Sequence, residues 1–166
     1  MKKVNELSLT SLLAVILVVS GAFKIPSPFP GTEFQLSAPL AVAIAAVFGF
    51  TRYICAGIVA SILGLLLGTQ TIIGVLIAMT FRIVAGGVIA LFGPRFWVVS
   101  IAGPLGSAAA RLVVWFLIGK GLIPLLLASL PGMIFTALAA WPLTKKLKRA
   151  SQQYLGEIFS YERKII

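Results

Sequence analysis

An all-α membrane protein is the fold the sequence predicts: a six-transmembrane-helix bundle with both termini in the cytoplasm. Three observations lead there. The residues are 60% hydrophobic and 11% charged, with a mean hydropathy of +1.08, far from the composition of a soluble domain. Six apolar blocks can be drawn, at 7–23, 36–50, 54–68, 72–92, 96–118 and 122–143, and about 20 apolar residues carry a helix across the hydrocarbon. The cations alternate between sides: Lys2, Lys3, Arg52, Arg95 and those from Lys145 onward fall on one side, while only Lys24 and Lys120 fall on the other. Because Lys and Arg in short connections are retained in the cytoplasm, the cation-rich side is inside.

The first block follows Met1, Lys2 and Lys3, and this start also resembles a signal peptide, with Ser20, Gly21 and Ala22 offering small residues for cleavage. Removing it leaves the other five blocks in the same orientation. Next comes 24–39, with Pro26, Pro28, Pro30 and Pro39. It should be extended, stiff and poor in helix, and it is expected to act as a lid over a pocket. Glu33 and Gln35 lie in it, and Glu33 is the only acid between residues 7 and 156.

The second and third blocks are short, which suits helices held inside a bundle or framing a cavity. In the third, Ala56, Ala60, Gly64 and Gly68 recur every four residues, a smooth stripe on which a neighbouring backbone or a partner subunit can pack. Similar spacing appears as Ala41, Ala45 and Gly49 in the second block, Ala102, Gly106 and Ala110 in the fifth, and Ala128, Gly132, Thr136 and Ala140 in the sixth. Cys55 cannot form an intrachain disulfide and is read as a small core residue.

The fourth and fifth blocks each carry an arginine, Arg82 and Arg111. A charge at the centre of a spanning helix is costly and needs a partner or a wet path. Three accounts remain open: carbonyls freed at a break such as Gly86-Gly87 or Gly103-Pro104, snorkelling to headgroups, or an anion admitted from outside. Ser107 and Trp115 lie four residues to either side of Arg111 and share its helix face, so a hydroxyl, a guanidinium and an indole could hold a carboxylate beside a flat ring. Trp115 is equally readable as an interfacial anchor. After the sixth block, 150–166 reads as a basic amphipathic tail on the anionic membrane lipid of the inner leaflet, apart from the domain at 1–149.

The chain has no His and no Asp, which removes His-dependent triads, aspartyl dyads, His-rich metal sites and zincin motifs. It is read as no enzyme, with no cofactor and no metal. Topology accounts for the net charge of +10, so nucleic acid is not expected as a partner.

The order of these features, with GTEFQLSAPLAVAIAAVFGF after the first loop, GLLLGTQTIIG, and the ending LPGMIFTALAAWPLTKKLKR, resembles the substrate-binding S components of energy-coupling factor (ECF) transporters over most of 7–149. The resemblance implies capture of a vitamin or similar micronutrient under a first-loop cap, together with a transmembrane coupling subunit and a cytoplasmic ATPase pair. Helix 1 departs from the family's Ala-x-x-x-Ala docking pair, offering Ser8, Ser11 and Ala14 at other spacings, and no His-bearing N-terminus of the nickel or cobalt members is present. The first loop is somewhat like that of biotin-type members, without their further signatures.

The resulting expectation is an importer subunit in the cell membrane that binds an anionic vitamin-like substrate. Arg111 is its charge partner, Ser107 lies beside it and Trp115 stacks on the cargo. Glu33, Gln35 and Gln70 sit at the mouth and Arg82 at the floor. The rivals are a self-sufficient channel or secondary transporter and a membrane-embedded enzyme acting on lipid.

Overall fold

The computed structural model describes the backbone of residues 2–26, 33–35, 37–119 and 121–163, and the side chains of 6–23, 37–117, 119 and 121–153. The six expected helices are α1 (Lys2–Ala22), α2 (Ser37–Phe48), α3 (Phe50–Leu66), α4 (Ile72–Phe92), α5 (Phe96–Ile118) and α6 (Leu122–Arg163). Three apolar stretches are long enough to cross a membrane, Ile72–Phe92, Phe96–Leu117 and Leu122–Gln153, and α1, α2 and α3 contribute shorter apolar helices. In the first loop, β1 (Lys24–Pro26) and β2 (Glu33–Gln35) pair antiparallel, with Lys24 opposite Gln35 and Pro26 opposite Glu33. Pro26 lies in β1 and keeps that end of the loop out of helix, whereas Pro39 lies in the first turn of α2, so the extended loop expected over 24–39 gives way to helix from Ser37.

The shortest helix is the innermost. Helix α2 has 12 residues and touches all five others. Val42, Ala43 and Ile44 in it are fully buried, and a helix apolar all round belongs inside. Around it, α1 packs on α3, α3 on α4, α4 on α5, and α5 on α6. The joint from α2 to α3 is one residue, Gly49, at φ 84° and ψ 167°, a region open essentially to glycine alone.

The small-residue stripe of α3 is consumed within the bundle. Ala56, Ala60 and Gly64 are all buried, whereas Gly68 lies past the helix end at φ +66° and turns the chain instead of extending the stripe. Ala14 of α1 is likewise buried in the core while Ser11 faces outward, so these two do not share one docking face. Cys55 corrects its expectation. It is exposed, because Ala56 and Ala60 take the inward face of α3.

The sixth helix runs 42 residues through Pro131 and Pro142 to Arg163, so the segment after 149 is helical as far as Arg163. Proline inside a spanning helix is tolerated where neighbours and local hydroxyls take up the freed backbone groups. Separately, Ser129, Thr136 and Thr144 donate hydroxyl hydrogen bonds to the Leu126, Gly132 and Ala140 carbonyls of their own helix, at 2.9, 2.7 and 2.7 Å, none of them a carbonyl that the prolines free.

Candidate functional site

A cavity of about 400 Å³ opens in one half of the bundle. Its walls come from the end of α1 (Leu17, Gly21), the start of α2 (Ser37, Ala41), the start of α4, the second half of α5 and the first half of α6. All of these are the helix ends remote from the N-terminus, on the side that carries the β-hairpin. Strand β2 approaches both α1 and α6, the two helices at the open seam of the ring. The paired strands therefore lie beside the cavity's end of the bundle. The side chains of Glu33 and Gln35 lie outside the described residues.

Arg82 and Arg111 both line this cavity, as do Ser107 and Gln70. Arg82 is 7% exposed. Its Nη1 donates to the Gly57 carbonyl at 3.0 Å and to Ser61 Oγ at 2.7 Å, both on α3, and lies 3.5 Å from Met79 Sδ. Carbonyl capture thus occurs, but across to α3 and not at Gly86-Gly87, which sits inside an unbroken α4. The absent side chain at Gly57 makes it possible: a Cβ there would stand 2.6 Å from Arg82 Cδ and 2.9 Å from Nε. Gly57 and Ser61, four residues apart on α3, are not marked out in the sequence because they run alongside the more regular Ala56–Ala60 stripe. The paired spacing of glycine and hydroxyl was the available signal.

Arg111 is half-buried and makes no hydrogen bond or ion pair with any described residue. Ser107, one turn before it, faces the same space, as the spacing implies. Trp115 does not join them. It is 42% exposed on the outer surface of α5 and is absent from the cavity wall, which fits the interfacial-anchor reading and leaves cargo stacking without a described contact.

Gln70 reaches the wall through the turn after α3. The amides of Thr69 and Gln70 both donate to the Gly64 carbonyl, at 2.9 and 3.0 Å, folding the side chain back over Gly64. Thr71 then caps α4, its hydroxyl accepting from the Gly74 amide at 3.1 Å. The Gln70 Oε1 atom is buried with no hydrogen-bond partner among the described residues, a cost that an incoming donor removes. On the far wall, Ser129 and Thr136 of α6 also face the cavity.

The electrostatics are one-sided. No described residue lining the cavity is acidic. The one ion pair among the described residues, Arg52 with Glu6 at 2.9 Å, is exposed and joins α1 to α3 at the opposite, cation-rich end. Two guanidinium groups in one cavity, with hydroxyls and an amide beside them, can hold an anion.

The chain is 47% identical over 152 residues to Protein BioX of Lysinibacillus sphaericus, an alignment that covers 92% of each chain. It belongs to the BioX family. No protein-family model and no solved structure matches it. With BioX the likeness runs almost end to end, so the two-arginine cavity lies within the shared length.

Proposed function

We propose that this chain is the substrate-binding subunit of an ATP-driven importer of the ECF type, multi-pass in the cell membrane, capturing an anionic vitamin or related micronutrient. The observation that carries the reading is the cavity with Arg82 and Arg111 in its wall and no described acid beside them. It lies in the half of the bundle away from the cationic ends, which by the charge rule is the outer half. In this reading the hairpin at the same end of the bundle caps it. Among the described residues the wall supplies hydroxyls, an amide and guanidiniums, groups that bind and orient, with no imidazole or carboxylate to move a proton. With no nucleotide-binding motif in the sequence, energy would come from a coupling subunit and a cytoplasmic ATPase pair.

Gentle purification followed by native mass spectrometry should identify a retained small acid. Arg111→Ala should weaken binding of that acid at least ~30-fold and its neutral amide by only a few fold, since a desolvated charge pair is worth more than the neutral contact that replaces it. Equal losses for acid and amide would overturn charge pairing. In vesicles, the chain alone should bind without accumulating solute. ATP-independent flux through it alone would overturn the importer-subunit reading.

A further inference from the structure

We infer that the ligand carries two anionic groups separated by an apolar spacer, an α,ω-dicarboxylate or a compound of that shape. The inference rests on the anion-capture reading above and goes on to the number and placement of the charges.

Arg82 and Arg111 enter the cavity from different walls. Arg82 springs from α4 and is drawn toward α3 by Gly57 and Ser61, whereas Arg111 belongs to α5, on the other side of α4. The register between α4 and α5 is set at Gly106. A Cβ there would lie 2.9 Å from the Phe81 carbonyl oxygen and 3.1 Å from Ala85 Cβ, so Gly106 is level with the turn 81–85. Arg111 lies five residues beyond Gly106 toward the cavity mouth and Arg82 is near the Gly106 level, an axial offset of their backbone positions of roughly 6 Å at 1.5 Å per residue.

A single carboxylate held by Arg111 leaves Arg82 without a counter-charge. The described partners of Arg82 are all neutral: a carbonyl, a hydroxyl and a thioether. Its Nε and second terminal nitrogen have no described acceptor, although the group lines the cavity. Two cations sharing one low-dielectric space repel each other, and one bound monoanion neutralises half of the charge. The surface shared by α4 and α5 beside them is mostly apolar, formed by Ile77, Ala78, Phe81 and Ala110 around the Ser107 hydroxyl. Two cationic points offset along an apolar wall are the complement of a diacid with a hydrocarbon middle.

The test uses the full chain in detergent or nanodiscs, freed of retained ligand, with calorimetric titration of straight-chain dicarboxylates from succinate to azelate, their monomethyl esters, and the matching monocarboxylates. Affinity should rise with spacer length from succinate, and at the best length the half-ester and the monocarboxylate should bind roughly 100-fold more weakly, the scale of losing one desolvated charge pair. Arg111→Gln is the variant of choice because Arg111 supports no described contact, whereas Arg82 holds α3. In it the diacid should fall to the half-ester's level, while the half-ester, still able to use Arg82, changes only a few fold. A half-ester as tight as the diacid in the unaltered chain, with Arg111 still required, overturns the two-charge inference and leaves anion capture standing. If no acid of either class binds and the retained compound is uncharged, anion capture falls as well.

Discussion

The guanidinium of Arg82 commits one terminal nitrogen to α3, and the two acceptors it finds there differ in what their loss would do. The Gly57 carbonyl belongs to the backbone and stays in any variant. Ser61 Oγ, at 2.7 Å and with its residue 3% exposed, can be removed. Ser61→Ala strips a buried charged donor of one partner and should cost about 1–3 kcal/mol, read as a lower midpoint of thermal unfolding in detergent. Tyr53, one turn before Gly57 on the same helix, is the contrast. Its ring is fully buried against Gly86, yet its hydroxyl has no partner among the described residues. Tyr53→Phe removes an unsatisfied polar atom and should leave stability unchanged or raise it by up to ~1 kcal/mol. A loss as large as that of Ser61→Ala would show that the hydroxyl is engaged. At this scale the sequence announced a need without its answer. A lone arginine in an apolar block demands a partner, but the partners are 25 and 21 residues away on another helix, and no local spacing points across that distance.

Among the elements, helices were legible because apolar blocks and punctuating Gly, Pro and Lys or Arg state where spans begin and end. The joints were less so. The hairpin of β1 and β2 joins residues up to eleven positions apart, Lys24 with Gln35, and four prolines signal extended chain without saying what it pairs with. The length of α6 was hidden for the opposite reason. Pro142 followed by Lys145 and Lys146 reads as a stop, whereas the helix runs on through it to Arg163. Two glycines separate conformational need from its absence. Neither Gly49 nor Gly87 has any atom within 4 Å of where a Cβ would stand, but Gly49 has φ +84° at the one-residue joint while Gly87 is inside α4. Gly49→Ala should therefore destabilise by about 1–3 kcal/mol through backbone strain alone. Gly87→Ala, gaining helix propensity at no steric cost, should stabilise by up to ~1 kcal/mol. Matched thermal melts of the two variants check both signs, and equal shifts would refute the backbone argument.

At the scale of the whole molecule, charge distribution and cavity position make one claim from independent sources. The cations cluster at one end of the bundle by sequence, and the cavity, with the hairpin at its mouth, occupies the other end by geometry. Nothing in helix packing requires that agreement, since a bundle could as well hollow out at its cationic end. A nutrient-capturing subunit requires it, because the site must face the medium while the basic end stays with the inner leaflet and the ATPase side. Cysteine labelling in intact cells tests the claim directly. Cys55 is exposed on the outer face of α3 and is first replaced by Ser to give a silent background. Thr71, exposed in the turn at the cavity end, and Arg95, exposed in the turn between α4 and α5 at the cationic end, then serve as paired reporters. Thr71→Cys should react with a membrane-impermeant maleimide in whole cells, and Arg95→Cys only after permeabilisation. Because the cap on α4 tolerates a thiol less well than a hydroxyl, a small loss of stability of about 1 kcal/mol at Thr71 is expected and does not affect the sidedness readout. The reverse pattern would place the cavity toward the cytoplasm, where the two arginines would face the cell's own anions and uptake from outside would have no binding step.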